Sequence, residues 1–264
     1  MVLWRGDAMA VPRDSSGDPE EQLDLALAAE VQAALLPSLH PPAYPHQKIA
    51  ALNRMCGSVG GDFYDFIPIH GDQIAVVVGD VVGHGVRASL LMAKIMGTLR
   101  SDPTACSRPK QMIVTLNRML LDLGDRIGTV VPCSVFYAVL DAPSGVSFFI
   151  TAGHPMPFLC RPGQCAPLHL GPQNLLLGVE DYEPKEACHT FQPGERLILY
   201  TDGILDAMDP EGERFGDGRL GEVIQQNVHG SAEQCARSIF QSAEDFRRGT
   251  RQSDDETVVV IDRV

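Results

Sequence analysis

The sequence predicts an α+β fold in which antiparallel sheets are covered by helices. Strand-like segments come in hairpins, with residues 59–69 and 73–81 on either side of one short turn and 133–140 and 145–153 on either side of another. Pairs of helical segments separate these hairpins, whereas a regular alternation of strand and helix would indicate a parallel sheet. A chain of 264 residues with 44% hydrophobic residues is also long enough to bury one large core.

The first 18 residues show no apolar periodicity, and we predict that they form a loose tail. A helix is predicted over residues 19–37. Asp18 can cap this helix, Pro19 suits its first position, and Glu21 stands three residues after the cap, before Pro37 ends it. An apolar stripe recurs along the helix every four residues, at Leu23, Leu27, Val31 and Leu35.

The remaining elements follow in order after a proline-rich joint at residues 39–47. The alternation of apolar residues predicts strands, and apolar residues at helical spacing predict helices. Strands are expected at 48–55, 59–69, 73–81, 133–140, 145–153, 195–203 and 256–264, and helices at 85–100, 108–123, 219–228 and 231–247.

The charge of the chain excludes two classes of partner. The formal net charge is -13, whereas a nucleic-acid-binding surface needs a basic face and an anionic membrane attracts basic segments. We therefore expect neither nucleic acid nor membrane as a partner. A phosphorylated protein is not excluded, because metal ions can supply local positive charge.

The cysteines and the hydropathy predict a cytoplasmic protein. There are seven cysteines and no Cys-x-x-Cys pair, which favours reduced thiols over a disulfide framework or a zinc site. No run of about 18 uninterrupted apolar residues is present, so no membrane span is expected. The first 14 residues lack the apolar core of a signal peptide.

Acidic residues stand at the ends of several apolar strands, and aspartates in such places often only form turns. The hairpin around residues 71–72 nevertheless brings Asp62 and Asp80 opposite each other, to within one residue of register. Two carboxylates about 4 Å apart repel by roughly 4 kcal/mol at an effective dielectric constant near 20. Such a pair persists if it is protonated or if it binds hard divalent cations such as Mg²⁺ or Mn²⁺. Spacing alone leaves open whether Asp202 and the pair Asp254–Asp255 join them.

Five motifs together resemble one known family. In order, they are "VGGDFYDF", "VVVGDVVGHGVRASLLMAK", "TAGHPMPFL", "LILYTDGILDAMDPEGERFG" and "SDDETVVVI". They resemble the motifs of metal-dependent PPM-type serine/threonine protein phosphatases, and more narrowly the bacterial branch of stage II sporulation protein E and the stress-response phosphatases. The resemblance extends over roughly residues 20–264. It implies a four-layer α/β/β/α sandwich of two antiparallel sheets, with residues 38–264 as the phosphatase domain.

The resemblance also implies a centre of two divalent cations, Mn²⁺ or Mg²⁺, at one edge of the sandwich. Asp80 would bridge both ions and is the principal catalytic residue. The other implied ligands are the Asp62 carboxylate and the Val81 backbone carbonyl for one ion, and the Asp202 and Asp254 carboxylates for the other, with Asp255 as the fallback for Asp254. Val82 departs from the pattern, because this branch usually has serine there.

Two histidines lie within the motifs. His84 in "GHG" is a candidate general acid that would protonate the leaving oxygen, or else it orders the turn into the next helix. His154 in "AGHP" is interpreted as structural, a buried polar group that ties two segments together.

The resemblance implies hydrolysis of phosphoserine or phosphothreonine on a regulatory protein, such as an anti-sigma-factor antagonist, by a metal-activated water. The alternative is a non-catalytic, pseudophosphatase-like module that binds the same kind of partner. The helix at residues 19–36 either packs on its own catalytic domain or forms a dimer contact through which an upstream sensor or activator acts. Relatives usually carry a sensory domain ahead of this helix, whereas only 18 residues precede it here. We therefore expect the activating signal to come from a separate protein, unless the chain is a fragment.

Overall fold

The computed structural model describes residues 19–37, 44–161, 164–167 and 172–264. The predicted tail at 1–18, the capping role of Asp18 and most of the proline-rich joint lie outside these residues. The described chain forms a four-layer sandwich in which two β-sheets face each other and helices cover both outer faces. The predicted α+β sandwich is therefore confirmed.

The helices are seven among the described residues, and most of them match the predicted segments. They are α1 (Pro19–Leu35), α2 (Val86–Ser101), α3 (Pro103–Cys106), α4 (Pro109–Ile127), α5 (Asp202–Leu205), α6 (Gly216–Gln226) and α7 (Ala232–Arg247). The short helices α3 and α5 were not predicted, because a single turn contains too few residues to show a helical period.

The strands comprise the seven predicted ones and four short additions. They are β1 (Gln47–Arg54), β2 (Phe63–Pro68), β3 (Gln73–Val81), β4 (Cys133–Asp141), β5 (Val146–Ala152), β6 (Phe158–Arg161), β7 (Gln164–Pro167), β8 (Gln173–Asn174), β9 (Ala187–Thr190), β10 (Arg196–Tyr200) and β11 (Glu256–Arg263). Strand β2 begins four residues later than predicted, because residues 59–62 form the glycine-rich loop that precedes it.

The two sheets differ in their order of strands. The first sheet runs β1-β11-β10-β6-β7, and the second runs β2-β3-β4-β5-β8 with β9 also paired to β5. Pairing is antiparallel between the described strands, except that the two-residue strand β8 runs parallel to β5. The C-terminal strand β11 lies between β1 and β10 and is therefore an interior strand of the first sheet.

Three hydrophobic clusters hold the four layers together. The cluster between the sheets contains Val76, Phe136 and Val259. Outside the second sheet, helices α2 and α4 bury Met92 and Met112 against it. Outside the first sheet, α6 and α7 bury side chains such as Leu220 and Ile239. The central strands of both sheets are therefore buried on both faces.

Helix α1 buries a different face from the predicted stripe. It packs against α2, and its Gln32 is 5% exposed, while Leu36 just beyond the helix contacts the core clusters. Leu23, Leu27 and Val31 are 59%, 50% and 63% exposed. The apolar stripe exists, but the side of the helix that faces inward carries Gln32, which forms two hydrogen bonds with Gly60.

One prediction about the cysteines is wrong. Cys160 is disulfide-bonded, which contradicts the expectation of reduced thiols throughout. Five other described cysteines are free, namely Cys56, Cys106, Cys133, Cys188 and Cys235. An odd total and the lack of a Cys-x-x-Cys pair argue against a disulfide framework but do not exclude a single bond within one region.

Candidate functional site

The first two predicted aspartates are brought together by the β2–β3 hairpin. Phe63 pairs with Gly79 in the antiparallel register, so that Asp62, one residue before, stands opposite Asp80, one residue after. The backbone N–H of Val81 also donates to the carbonyl of Gly61, at 3.4 Å. Opposition of these two aspartates was predicted to within one residue, and the register of the hairpin confirms it.

The other two predicted aspartates come from neighbouring strands of the first sheet. Strand β10 ends at Tyr200, opposite Val258 of β11. Asp202 lies just after β10, and Asp254 lies just before β11, so the antiparallel pairing carries both to the same edge. The site is therefore built at one edge of the sandwich, with two aspartates from each sheet.

Two glycines allow the backbone to approach this edge closely. A Cβ atom on Gly61 would lie 2.6 Å from the backbone oxygen of Val81, and a Cβ atom on Gly60 would clash with the carboxylate of Asp255. A larger residue at either position would push the loop away from the hairpin. The glycines before Asp62 are thus required by close packing of the loop that carries it.

Asp62 is held by two threonines that the sequence analysis did not single out. Its Oδ2 accepts hydrogen bonds from the hydroxyl of Thr201, at 2.8 Å, and from the hydroxyl of Thr257, at 2.6 Å. Asn53 in turn donates to the Thr257 hydroxyl. Thr201 immediately precedes Asp202, and Thr257 stands two residues after Asp255. This closeness to acidic residues in the sequence was the signal that could have identified both threonines. They orient Asp62 across the gap between the sheets.

The two members of the Asp254–Asp255 pair have different environments. Asp255 is 2% exposed, and its two oxygens accept bonds from the backbone N–H groups of Cys56 and Gly61, both at 2.7 Å. Asp254 is partly exposed, and among the described residues its carboxylate accepts only the adjacent backbone N–H of Asp255, through Oδ1. Asp255 therefore fastens the loop before Asp62, whereas Asp254 keeps most of its hydrogen-bonding capacity free.

The carboxylates at this edge disturb one another electrostatically. Burial, and then repulsion from Asp202, Asp254 and Asp255, raises the pKa of Asp80 to about 8. Burial and the Asp80 charge raise the pKa of Asp62 well above its usual range, although the two threonine hydrogen bonds oppose this shift. These mutual effects link the aspartates of both sheets into one group.

The remaining two aspartates show the same direction of shift. Asp202 lies at the exposed rim, where loss of hydration and then the neighbouring Asp206 raise its pKa. Burial, followed by repulsion from other acids including Asp202, also raises the pKa of Asp254. Asp206 is thus a further acidic residue of this edge that the sequence analysis missed, and it forms an ion pair with Arg214.

Within the described part of the chain, no lysine, arginine or histidine forms an ion pair with Asp62, Asp80, Asp202 or Asp254. Nor do three acidic, cysteine or histidine side chains there converge closely enough to hold one metal ion by themselves. Mg²⁺ usually takes one or two carboxylates and completes its shell with water and substrate oxygens. A set of oxygen donors without cationic partners therefore fits hard divalent ions that keep part of their hydration shell.

The valines and histidines of the motifs differ in exposure and in their contacts. Val81 ends β3, and Val82 is 55% exposed, with its N–H donating to the carbonyl of Pro132. His84 is exposed in the turn before α2 and forms no side-chain hydrogen bond with a described residue. His154 is 1% exposed and contacts the Ser134 hydroxyl through Nδ1, at 3.1 Å, and burial lowers its pKa to about 3. The structural interpretation of His154 is confirmed.

Comparisons with known proteins identify the family to which the chain belongs. The model of the family described as stage II sporulation protein E (SpoIIE) matches residues 70–264, which is more than half of the chain. Phosphoserine phosphatase RsbU of Bacillus subtilis (strain 168) is 26% identical over 250 residues, which cover 92% of this chain and 71% of that protein. Protein IcfG of Synechocystis sp. (strain PCC 6803) is 28% identical over 277 residues, covering 93% of this chain and 42% of that protein.

A solved structure shows the same fold. The SiaA-PP2C domain of Pseudomonas aeruginosa superposes with a TM-score of 0.77, covering 91% of this chain and 96% of that domain, at 20% sequence identity. Identity at this level establishes the fold and not the chemistry. The four-layer sandwich of this chain is therefore a known architecture.

Proposed function

Because the chain belongs to the SpoIIE-like family of PPM-type phosphatases, we propose that it is a metal-dependent protein phosphatase that hydrolyses phosphoserine or phosphothreonine. The observation that supports this proposal most directly is the group of four aspartates at one edge of the sandwich, none of which forms an ion pair with a described residue. Two similar curated proteins, RsbU and RsbP of Bacillus subtilis, carry the name phosphoserine phosphatase.

The proposed ligand set follows the two sheets. Asp80 would bridge both ions, Asp62 and the Val81 carbonyl would bind one, and Asp202 and Asp254 would bind the other. Bidentate or bridging ligation needs free carboxylate oxygens, and Asp254 has more of them than its neighbour, which supports it as the ligand.

Two Mg²⁺ or Mn²⁺ ions, when bound, supply a water nucleophile at neutral pH and positive charge toward the phosphoryl oxygens. The chain itself contributes by orienting the donors. Thr201 and Thr257 hold Asp62 in one orientation, and Asp255 fixes the loop on which Asp62 stands. The partial exposure of Asp202 and Asp254 leaves the site open to a phosphorylated side chain on another protein.

His84 is the proposed general acid for the leaving serine or threonine oxygen. Its exposed position, four residues after Asp80, is compatible with contact to a bound substrate. The turn on either side of it already has glycines with positive φ, 108° at Gly83 and 75° at Gly85, so a histidine is not needed to form the turn. His84→Asn would distinguish the two roles, because loss of a general acid spares substrates with a good leaving group such as p-nitrophenyl phosphate.

The second candidate function is a pseudophosphatase-like module that binds the same phosphoprotein without hydrolysis. Phosphate release from a phosphoserine peptide, measured with Mn²⁺, with Mg²⁺ and after EDTA treatment, separates the two. We expect release that depends on the added cation and is restored by Mn²⁺ better than by Zn²⁺, since the ligands are oxygens. Binding of the peptide without any release at saturating Mn²⁺ would favour the module, and release unaffected by exhaustive chelation would exclude the metal mechanism.

For the substrate and its location we propose a class of protein and a compartment, without naming an individual protein. We propose a small cytoplasmic regulatory protein, such as an anti-sigma-factor antagonist, as the phosphorylated substrate. No helix among the described residues has the length and apolarity that a bilayer crossing requires.

Helix α1 is the proposed site of regulation, either by an activator protein or by a homodimer contact. Its inner face contacts the loop before Asp62, since the Gln32 amide bonds both the carbonyl of Gly60, at 2.7 Å, and its N–H, at 3.0 Å. Its outer face presents Leu23, Leu27 and Val31 to solvent. Light scattering and phosphatase rates on a chain lacking residues 1–36 would test both options, and an unchanged mass, stability and rate would exclude them.

A further inference from the structure

The helical layer beside the acidic edge has the opposite charge from the rest of the chain. Residues 86–127, which span α2 to α4, contain seven lysines and arginines against three aspartates, a formal charge of +4 in a chain of -13. All seven cations are exposed. The helical layer on the other side, residues 216–247, has three cations and five acids. Positive charge is therefore concentrated on one face of the molecule.

Part of this charge lines a groove between α2 and α4. Lys94 of α2 and Arg118 and Arg126 of α4 line it, with Asp122 as the carboxylate among the described lining residues. No ion pair joins Lys94, Arg118 or Arg126 to a described acidic residue. By contrast, Arg100 on the same helix pairs with Asp65, at 2.6 Å. The groove thus offers three cations whose charge is not neutralised within the described chain.

An exposed apolar stripe connects the groove to the acidic edge. Val86 and Leu90 of α2 are 47% and 67% exposed, and Val82 just before the helix is 55% exposed. Val86, Leu90 and Lys94 follow one another at intervals of four residues and so share one side of α2. At 1.5 Å per residue, Lys94 lies about 12 Å along the helix from Val86.

We propose that this face, from Val82 through Leu90 to the groove of Lys94, Arg118 and Arg126, is the docking surface for the phosphoprotein substrate, and that it selects a substrate with acidic residues near the phosphoserine. The proposal rests on the function proposed above. A protein that places a phosphoserine at Asp80 must cover Val82, two residues away. A specific interface buries about 800 Å² on each partner, a patch roughly 30 Å across, which reaches from the acidic edge over the groove.

Charge complementarity indicates that the substrate protein that docks on this face is acidic. The acidic edge repels a substrate that carries further negative charge, unless cations are bound there, whereas the groove attracts such charge. The two regions would therefore orient an acidic substrate. Its phosphate would lie at the divalent metal ions of the acidic edge, and its carboxylates would lie over α2 and α4. Exposed charges of this kind act mainly on specificity and association rate, and salt weakens them.

The test uses the full chain with Mn²⁺ and two phosphoserine peptides of equal length, one with glutamates on both sides of the phosphoserine and one with glutamines in their place. We expect kcat/KM to be about tenfold higher for the acidic peptide at low ionic strength, which corresponds to 1.4 kcal/mol. The double variant Lys94→Glu/Arg118→Glu should remove this preference and leave hydrolysis of p-nitrophenyl phosphate unchanged. Lys48→Glu/Lys185→Glu is the matched control, because it alters the charge equally at exposed lysines elsewhere.

A second variant tests the apolar part of the surface. Val86→Ser/Leu90→Ser should lower kcat/KM for both peptides severalfold, with p-nitrophenyl phosphate again unaffected, while the solution mass stays the same. A change of oligomeric state in this variant would identify the face as a contact between copies of the chain and overturn the proposal. Equal rates for the two peptides, with normal turnover of p-nitrophenyl phosphate, would also overturn it. No turnover of any substrate would instead refute the phosphatase function itself.

Discussion

Strand β10 has an acidic residue at each end, and their environments are opposite. Glu195, just before the strand, is 3% exposed and contacts Arg161, His189 and the backbone N–H of Gln192. Burial alone would raise the pKa of Glu195, but these partners outweigh it and the pKa is lowered. Asp202, just after the strand, has no cationic partner among the described residues, and its pKa is raised.

The adjacent strand repeats the contrast. Asp262 near the end of β11 pairs with Arg196, and Glu256 at its start is fully buried between Arg54 and Arg247. Asp254, only two residues before Glu256, forms no ion pair with a described residue. This sandwich therefore pairs the acids Glu195, Glu256 and Asp262 with arginines, whereas Asp202 and Asp254 at the other edge have no such partner among the described residues.

The difference indicates where the chain relies on charge from solution. Removing one member of a built-in ion pair leaves the other charge buried and costs stability. Under the proposed function, removing a member of the unpaired group should relieve repulsion in the cation-free protein and should lower activity instead.

Asp80→Asn should lower kcat/KM by roughly 10²–10³, about 3–4 kcal/mol of transition-state stabilisation, because it removes charge from the centre of the unpaired group. The fold should survive, as shown by an unchanged circular dichroism spectrum. Asp72→Asn, at the exposed turn of the same hairpin, is the control and should keep full activity. Wild-type turnover of Asp80→Asn at saturating Mn²⁺ would refute the metal assignment.

Arg247→Met should lower the free energy of unfolding by about 3 kcal/mol, because it deprives buried Glu256 of one of its two guanidinium partners. The rate per folded molecule should not change. Arg237→Met on the same helix breaks an exposed pair with Glu233 and should cost about 0.5 kcal/mol or less. Urea denaturation of both variants makes the comparison, and equal midpoints would mean that the buried pair does not stabilise this sheet.

Asp254→Asn and Asp255→Asn should differ in kind. The first should lower activity by about 10–100-fold and raise the Mn²⁺ concentration needed for half-maximal rate, as expected for a lost ligand. The second leaves one backbone N–H of Cys56 or Gly61 without its acceptor and should lower the free energy of unfolding by about 1–3 kcal/mol. If Asp255→Asn shifts the Mn²⁺ requirement and Asp254→Asn does not, the assignment within the pair is reversed.

The unpaired group should also make the cation-free protein sensitive to pH. The pKa of Asp80 is about 8 in the folded chain and near 3.8 when unfolded, so the fold disfavours its charged form. Stability is therefore greatest below pH 4 as far as this group is concerned, and is lost as pH rises toward 8. We expect the melting temperature in EDTA to fall measurably over this range, because the charged form of Asp80 is disfavoured only in the folded chain. Mn²⁺ should restore it at pH 8, and Asp80→Asn should flatten the EDTA profile.

The local sequence was sufficient to predict that Asp62 and Asp80 lie opposite each other, whereas the position of Asp202 and Asp254 at the same edge followed only from the family resemblance. Strand ends and the turn at residues 71–72 determined that Asp62 and Asp80 face each other, since hairpin register depends on local sequence. Contacts between residues distant in the chain were not predictable in this way. Thr257 reaches Asp62 across 195 positions, and Gln32 reaches Gly60 from a separate helix. The same limit applies to α1, where the apolar period left open which surface the helix contacts and a polar side chain, Gln32, makes the inward contact.

Helix α1 gives the smallest predicted effects and tests whether its inner contact or its outer stripe matters to the fold. Gln32→Ala leaves the N–H and the carbonyl of Gly60 without their partner, so we expect a loss of about 1–2 kcal/mol in the free energy of unfolding. Leu27→Ser removes an apolar side chain that is already half exposed, and should change the free energy by less than about 0.5 kcal/mol. Thermal unfolding of both variants in EDTA measures the difference. A larger loss for Leu27→Ser would show that the stripe is buried in solution against a second copy of the chain, and the dependence of its melting temperature on protein concentration would then confirm that contact.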